Sequence, residues 1–158
     1  MKPTVNCITL AVQDLQQSLT FYRDGLNLIS KNTKLEVEKD HLVVPLSEYL
    51  YLVLISRAEF TKYANIASQS PAPKQMSECI LSHFTDSNEQ VDKILKQALD
   101  AGGTTAQPPK NQQWGYAGYV TDPDGHIWEI MHNPKMNPKT RSGQEVDDEF
   151  RTMSFGIC

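Results

Sequence analysis

Cysteine is scarce in this chain, and so are the signals that would assign it quickly. Its three cysteines, Cys7, Cys79 and Cys158, are odd in number and lack metal-type spacing, which excludes a disulfide framework and a thiolate cluster site. Cys7 and Cys79 read as small, buried strand residues of a reduced, cytoplasmic protein. No apolar run approaches the length of a membrane span, so no membrane partner is expected. Met1 to Asn6 contains no apolar stretch of the signal-peptide kind. The 15 Lys and Arg are scattered and outnumbered by 19 acids, for a net charge of −4. There is no basic stripe, hence no nucleic-acid partner. What remains is a soluble chain of 158 residues, long enough to bury a sizeable core.

The chain repeats one pattern. Val5 to Val12 is strand-like, and Asp14 with Gln17 forms a helix-starting capping pair. Leu15, Leu19 and Tyr22 recur at helical spacing, which makes Tyr22 a core residue, and Gly25 stops the helix. Glu78 to Thr85 is again strand-like, and Ser87 with Gln90 is a second capping pair. Val91, Ile94, Leu95 and Ala98 form the next stripe, ended by Gly102 and Gly103. Strand material follows each helix: 34–37, 41–45 and 49–55 in the first half, 104–107, 115–121 and 126–132 in the second. Both halves therefore read βαβββ. Module 1 spans about 4–67 and module 2 about 76–134. The divider is the Ser- and Pro-rich linker 68–75, preceded by a short helix over 58–67. Together they form one α+β domain over 1–134, with 135–158 as a C-terminal extension. There Ser142 caps a short helix to about Arg151, and Phe150, Met153, Phe155 and Ile157 supply apolar surface.

Each helix must bury its apolar stripe against one face of a curved sheet. The opposite concave faces then enclose a cleft, the kind of junction that ligand sites favour. Tyr116 to Met131 is the most telling stretch. It reads as strand, tight turn, strand, with the turn at Asp122-Pro123-Asp124-Gly125. Glu129 sits within an otherwise apolar strand. Buried there, it needs a donor such as Tyr116, Tyr119 or water, and without one desolvation raises its pKa. Trp128, alternating with it, belongs to the helix-facing core.

Three stretches carry a family resemblance: Ile8 to Tyr22; Asp86 to Asp92 leading to Ala101-Gly102-Gly103; and Asp122 to Glu129. Over about residues 4–134 the chain resembles the vicinal oxygen chelate superfamily, which includes glyoxalase I, bleomycin- and fosfomycin-resistance proteins and extradiol dioxygenases. The resemblance implies paired βαβββ modules, a homodimer, and one divalent metal (Zn, Ni, Fe or Mn) held by His, Gln or Glu from four strands.

Carried over position by position, Glu129 matches the final ligand. The first-strand position is Cys7. The strand 49–55 holds no acid, His or Gln. The remaining position is Ile80 if Ser87 is the cap, or Cys79 if Asp86 is, in which case His83 faces the cleft. Cys7 and His83 are weak ligand candidates, because a thiolate is soft among hard donors. The expectation is therefore a small-molecule-binding or metal-independent protein with no metal cofactor. The alternatives are a metal-dependent lyase or isomerase of glyoxalase I type with Glu129 as base, and a structural or interaction module without a ligand. Alternation from Glu129 places Ile127 and Met131 on its face; Cys7, Thr9 and Ala11 share that space, with Trp114, Tyr116 and Tyr119 at its edge. His126 and His132 read as turn or surface histidines.

Overall fold

The computed structural model describes residues 5–34, 40–66, 73–77 and 79–136. Residues 35–37 of the strand expected at 34–37, most of the linker, and the helix expected from Ser142 lie outside the described residues. No helix among those described is long and apolar enough to cross a membrane.

Strand β1 is Cys7–Val12. It leads to helix α1, Leu15–Thr20, which runs into a π-helical turn at Phe21–Gly25. Asp14 caps α1 by accepting from Gln17 N at 2.9 Å. Strands β2 (His41–Pro45) and β3 (Tyr51–Ser56) follow, then helix α2 (Arg57–Ile66). The second unit comprises β4 (Ile80–Phe84), α3 (Asn88–Asp100), β5 (Thr104–Gln112), β6 (Gly115–Thr121) and β7 (Ile127–His132). Ser87 caps α3 through Gln90 N.

Two curved mixed sheets result, ordered β1-β3-β2 and β4-β7-β6-β5. In each, the strand before the helix pairs in parallel with the last strand of its unit: β1 with β3, and β4 with β7. The remaining pairings are antiparallel. The fold is thus α+β, as the repeat implies. Strand β5 runs five residues past its expected end, through Pro108 and Pro109, because it is an edge strand. An edge tolerates missing N–H donors, and its register shifts twice there.

One core joins the two helix layers. Val12, Leu19, Phe21 and Tyr22 from the first unit pack with Val91, Leu95, Ala98, Val120, Trp128 and Ile130 from the second. Tyr22 and Trp128 meet edge-on, with ring centroids 5.9 Å apart. The opposite faces of the sheets are left for other purposes. On the four-stranded sheet that face carries Ser82, Phe84, Ala117, Tyr119, Glu129 and Met131, by the period-two alternation of strands.

Candidate functional site

The Asp122–Gly125 turn anchors the site. Asp122 is buried, and its carboxylate accepts four hydrogen bonds. Oδ1 takes the backbone N–H groups of Asp124 and His126, each at 2.9 Å. Oδ2 takes Tyr22 OH at 2.8 Å and His126 Nδ1 at 2.7 Å. Asp124 accepts from Gln13 N at 3.0 Å and so ties the end of β1 to the turn. Burial raises the Asp124 carboxyl; the Gln13 N–H opposes this and the nearby Asp122 charge adds to it. Gly125 holds φ at 99°, and a Cβ there would stand 2.5 Å from Gln75 Cα. Only glycine allows this close approach in the left-handed region.

Glu129 is buried on the face away from the helices. Its Oε1 accepts from Tyr119 OH at 2.5 Å and from Trp114 Nε1 at 3.1 Å; its Oε2 accepts from Ser82 Oγ at 2.6 Å. These donors supply what a desolvated carboxylate requires. In return, burial raises the Tyr119 phenol far above its ordinary value, and the Glu129 hydrogen bond and charge push the same way. Trp114 is set in place by Asn133, whose Nδ2 donates to Trp114 O at 2.8 Å. Beside it, Met131 and Ala117 are fully buried between Phe84 and Trp114. Met131 therefore shares Glu129's face but is sealed by its neighbours.

Two cavities adjoin the open faces. The smaller, of ≈ 180 Å³, lies between the end of β1 and the start of β4 and β7. Thr9, Ala11, Ser77, Cys79, His126 and Ile127 are among its walls. The larger, of ≈ 500 Å³, lies between α2 and the three-stranded sheet, against Thr9, Val53, Ile55, His41, Phe60 and Tyr63. Thr9 and Phe60 line both.

Three expectations need correction. Cys7 and Cys79 are exposed, not buried. Cys7 opens β1 on a sheet face that no helix covers at that point, and Cys79 precedes its strand. Tyr116 does not belong with Tyr119: three residues apart on one strand, they point to opposite faces. Tyr116 packs against the helix-side core, and its hydroxyl donates to Asp92 Oδ1 of α3 at 2.8 Å. His126 is no ordinary turn histidine, since its ring is engaged by a buried carboxylate. His83 pairs with core residue Ile130 on the helix side, and burial lowers its pKa. Sequence reasoning missed Ser82. It stands five residues before cap Ser87, as Thr9 stands five before cap Asp14, so the repeat itself contained that signal.

The same equivalence tests the metal position. Ser82 pairs with Glu129, and Thr9 pairs with Val53. An apolar valine thus occupies, in the first unit, the place that Glu129 occupies in the second. Among the described residues no three His, Cys, Asp or Glu side chains lie where they could share an ion. Both Glu129 oxygens already accept hydrogen bonds. Among the described residues of one chain, Glu129 is the one acid at the positions where the resemblance puts ligands, against about three protein ligands at a catalytic metal site.

The model of the Glyoxalase/Bleomycin resistance protein/Dioxygenase superfamily matches residues 4–130. The chain belongs to this superfamily. A glutathione transferase FosA from Serratia marcescens is 32% identical over 135 residues, covering 82% of this chain and 81% of that protein. A glyoxalase-related enzyme from Fulvimarina pelagi is 26% identical and superposes with a TM-score of 0.71, over 84% of this chain and 89% of the other. The fosfomycin resistance protein FosX from Listeria monocytogenes, at 18% identity, shares the fold with a TM-score of 0.58 over 84% of this chain and 95% of its own.

Proposed function

We propose that this superfamily member binds a small, partly apolar molecule in the cleft beside the open sheet faces, and that it does so without a divalent metal. The observation that carries this reading is the state of Glu129. A buried carboxylate gripped by a phenol, an indole and a serine hydroxyl is a fixed acceptor, not a free ligand for a cation. Trp114 and Tyr119 flank it through their hydrogen bonds, and Ile127, two residues before it on the same face of β7, lines the ≈ 180 Å³ cavity with Thr9, while Glu129 itself lines neither cavity. A few polar groups set in apolar walls are what small-molecule sites require.

A second reading is favoured by the likeness to a glutathione transferase: an enzyme of this cleft that handles a thiol or isomerises its adduct, as a metal-dependent glyoxalase I type enzyme would. Two measurements separate the readings. Elemental analysis of protein purified without chelator is expected to find well under one Zn, Ni, Fe or Mn per chain, with hemithioacetal isomerisation of glutathione and methylglyoxal at background. The neutral fluorophore N-phenyl-1-naphthylamine is expected to bind saturably at one site, several-fold more weakly in Trp114→Phe and Glu129→Gln. One ion per chain, lost in Glu129→Ala, would establish the second reading. Absence of saturable binding would leave the cleft a structural feature.

A further inference from the structure

We propose that His126 is a general base on the wall of the ≈ 180 Å³ cavity, activating a water for attack on a small neutral ester or similarly activated carbonyl compound. The proposal rests on the reading that this cavity admits ligands, and goes beyond it by assigning chemistry to a residue outside the Glu129 cluster.

The tautomer follows from the partners. Asp122 Oδ2 is a carboxylate oxygen, which can only accept, and it lies 2.7 Å from His126 Nδ1. The Nδ1 atom therefore carries the proton. In the neutral ring the lone pair is then on Nε2. Among the described residues no hydrogen bond engages Nε2, and Nε2 is not sealed, since the one side-chain polar atom both sealed and unpartnered is Thr121 Oγ1. The imidazole is 17% exposed, whereas the Asp122 side chain is wholly buried. A buried carboxylate that fixes the tautomer and stabilises the imidazolium is the arrangement that makes histidine an effective base. Glu129 is not placed for this task, because it does not line this cavity.

The cavity defines the substrate. Leu10, Ala11, Leu81 and Ile127 give it apolar walls, and Thr9 and Ser77 add hydroxyls. Asp124 also lines it, with Asp122 directly behind. Arg57 lines it as well, so its walls carry charge of both signs. The predominantly apolar walls suit a neutral acyl compound, a class open to base catalysis. In the step, Nε2 takes a proton from water as the water oxygen bonds to the carbonyl carbon. The C=O π electrons move to oxygen, giving a tetrahedral oxyanion. Its collapse breaks the bond to the leaving alcohol oxygen, and the imidazolium returns the proton to that oxygen or to solvent. No oxidant or co-reactant is needed.

The test uses the full chain with p-nitrophenyl acetate as the probe. Wild type is expected to show saturable hydrolysis, lost by about a hundredfold in His126→Gln, the scale of a positioned general base, and kept in His132→Gln. Nitrogen-15 NMR of the wild-type ring, which involves no variant, is expected to show the Nδ1-protonated tautomer above neutral pH. Hydrolysis unchanged in His126→Gln overturns the proposal, as does an Nε2-protonated ring. N-phenyl-1-naphthylamine binding that survives in His126→Gln while hydrolysis is lost supports it. Absence of that binding in wild type counts instead against the cleft reading, so the two failures are distinguishable.

Discussion

Asp122 concentrates more structure on one side chain than any other described residue. Its four acceptor contacts join a tight turn, a histidine and the Tyr22 hydroxyl, which arrives from the other repeat unit. The Tyr22 hydroxyl is also within reach of Trp128 Nε1 at 3.4 Å. Burial holds the phenol well above its ordinary pKa, and the Asp122 charge reinforces this, so it stays a donor at any ordinary pH. Removing only that oxygen leaves the ring packing intact and leaves Asp122 one donor short inside the core. A buried group deprived of a partner costs about 1–3 kcal/mol. Tyr22→Phe is accordingly expected to lower unfolding stability by about that amount in urea titrations, with the m-value unchanged. A loss within experimental scatter would show that the hydroxyl contributes nothing net.

At the scale of elements, the legible parts of this chain were those where a local rule and burial agree. Asp14 and Ser87 cap their helices because both are followed by an apolar stripe that the shared core demands. Trp128 falls in the core and Glu129 on the opposite face for one reason, the period of two along β7. What the sequence hid are relations across strands. The pairing of Ser82 with Glu129 depends on a parallel register, and no hairpin sets that register. Cys7 looks buried by residue type, yet strand pairing places it on an open face. Tyr116 and Tyr119 look like one aromatic edge until the pleat separates them. His83 on β4 gives this scale its prediction. Burial lowers its folded pKa, while the unfolded ring titrates near about 6.5. The unfolded state therefore binds more protons below that pH. The His83 contribution is complete above about pH 6.5 and is lost as pH falls through the lower folded value. Between about pH 7.5 and 5, wild type should lose more stability than His83→Phe. Parallel stability–pH curves would show that the ring is solvated.

At the scale of the whole molecule, the open face of the three-stranded sheet stands out. Pairing places Cys7, Val43, Pro45, Tyr51 and Val53 on it. Val43 is 55% and Tyr51 42% exposed, and Ile80, on the open face of the other sheet, is 45% exposed. Scattered apolar side chains at a surface are ordinary, but here they share sheet faces. The stability of one chain does not require their burial, since the helix layers already share a core. Covering them needs a partner, and the superfamily resemblance points to a second copy of this chain. Light scattering at micromolar concentration is expected to give twice the chain mass. Val43→Glu and Tyr51→Glu together place charge on the face without touching the core, so the double variant should shift the population to monomer while its unfolding midpoint, extrapolated to low concentration, changes little. A wild-type monomer would refute the assembly outright. A dimer indifferent to both substitutions would place the contact elsewhere and leave this face open as an extension of the cleft.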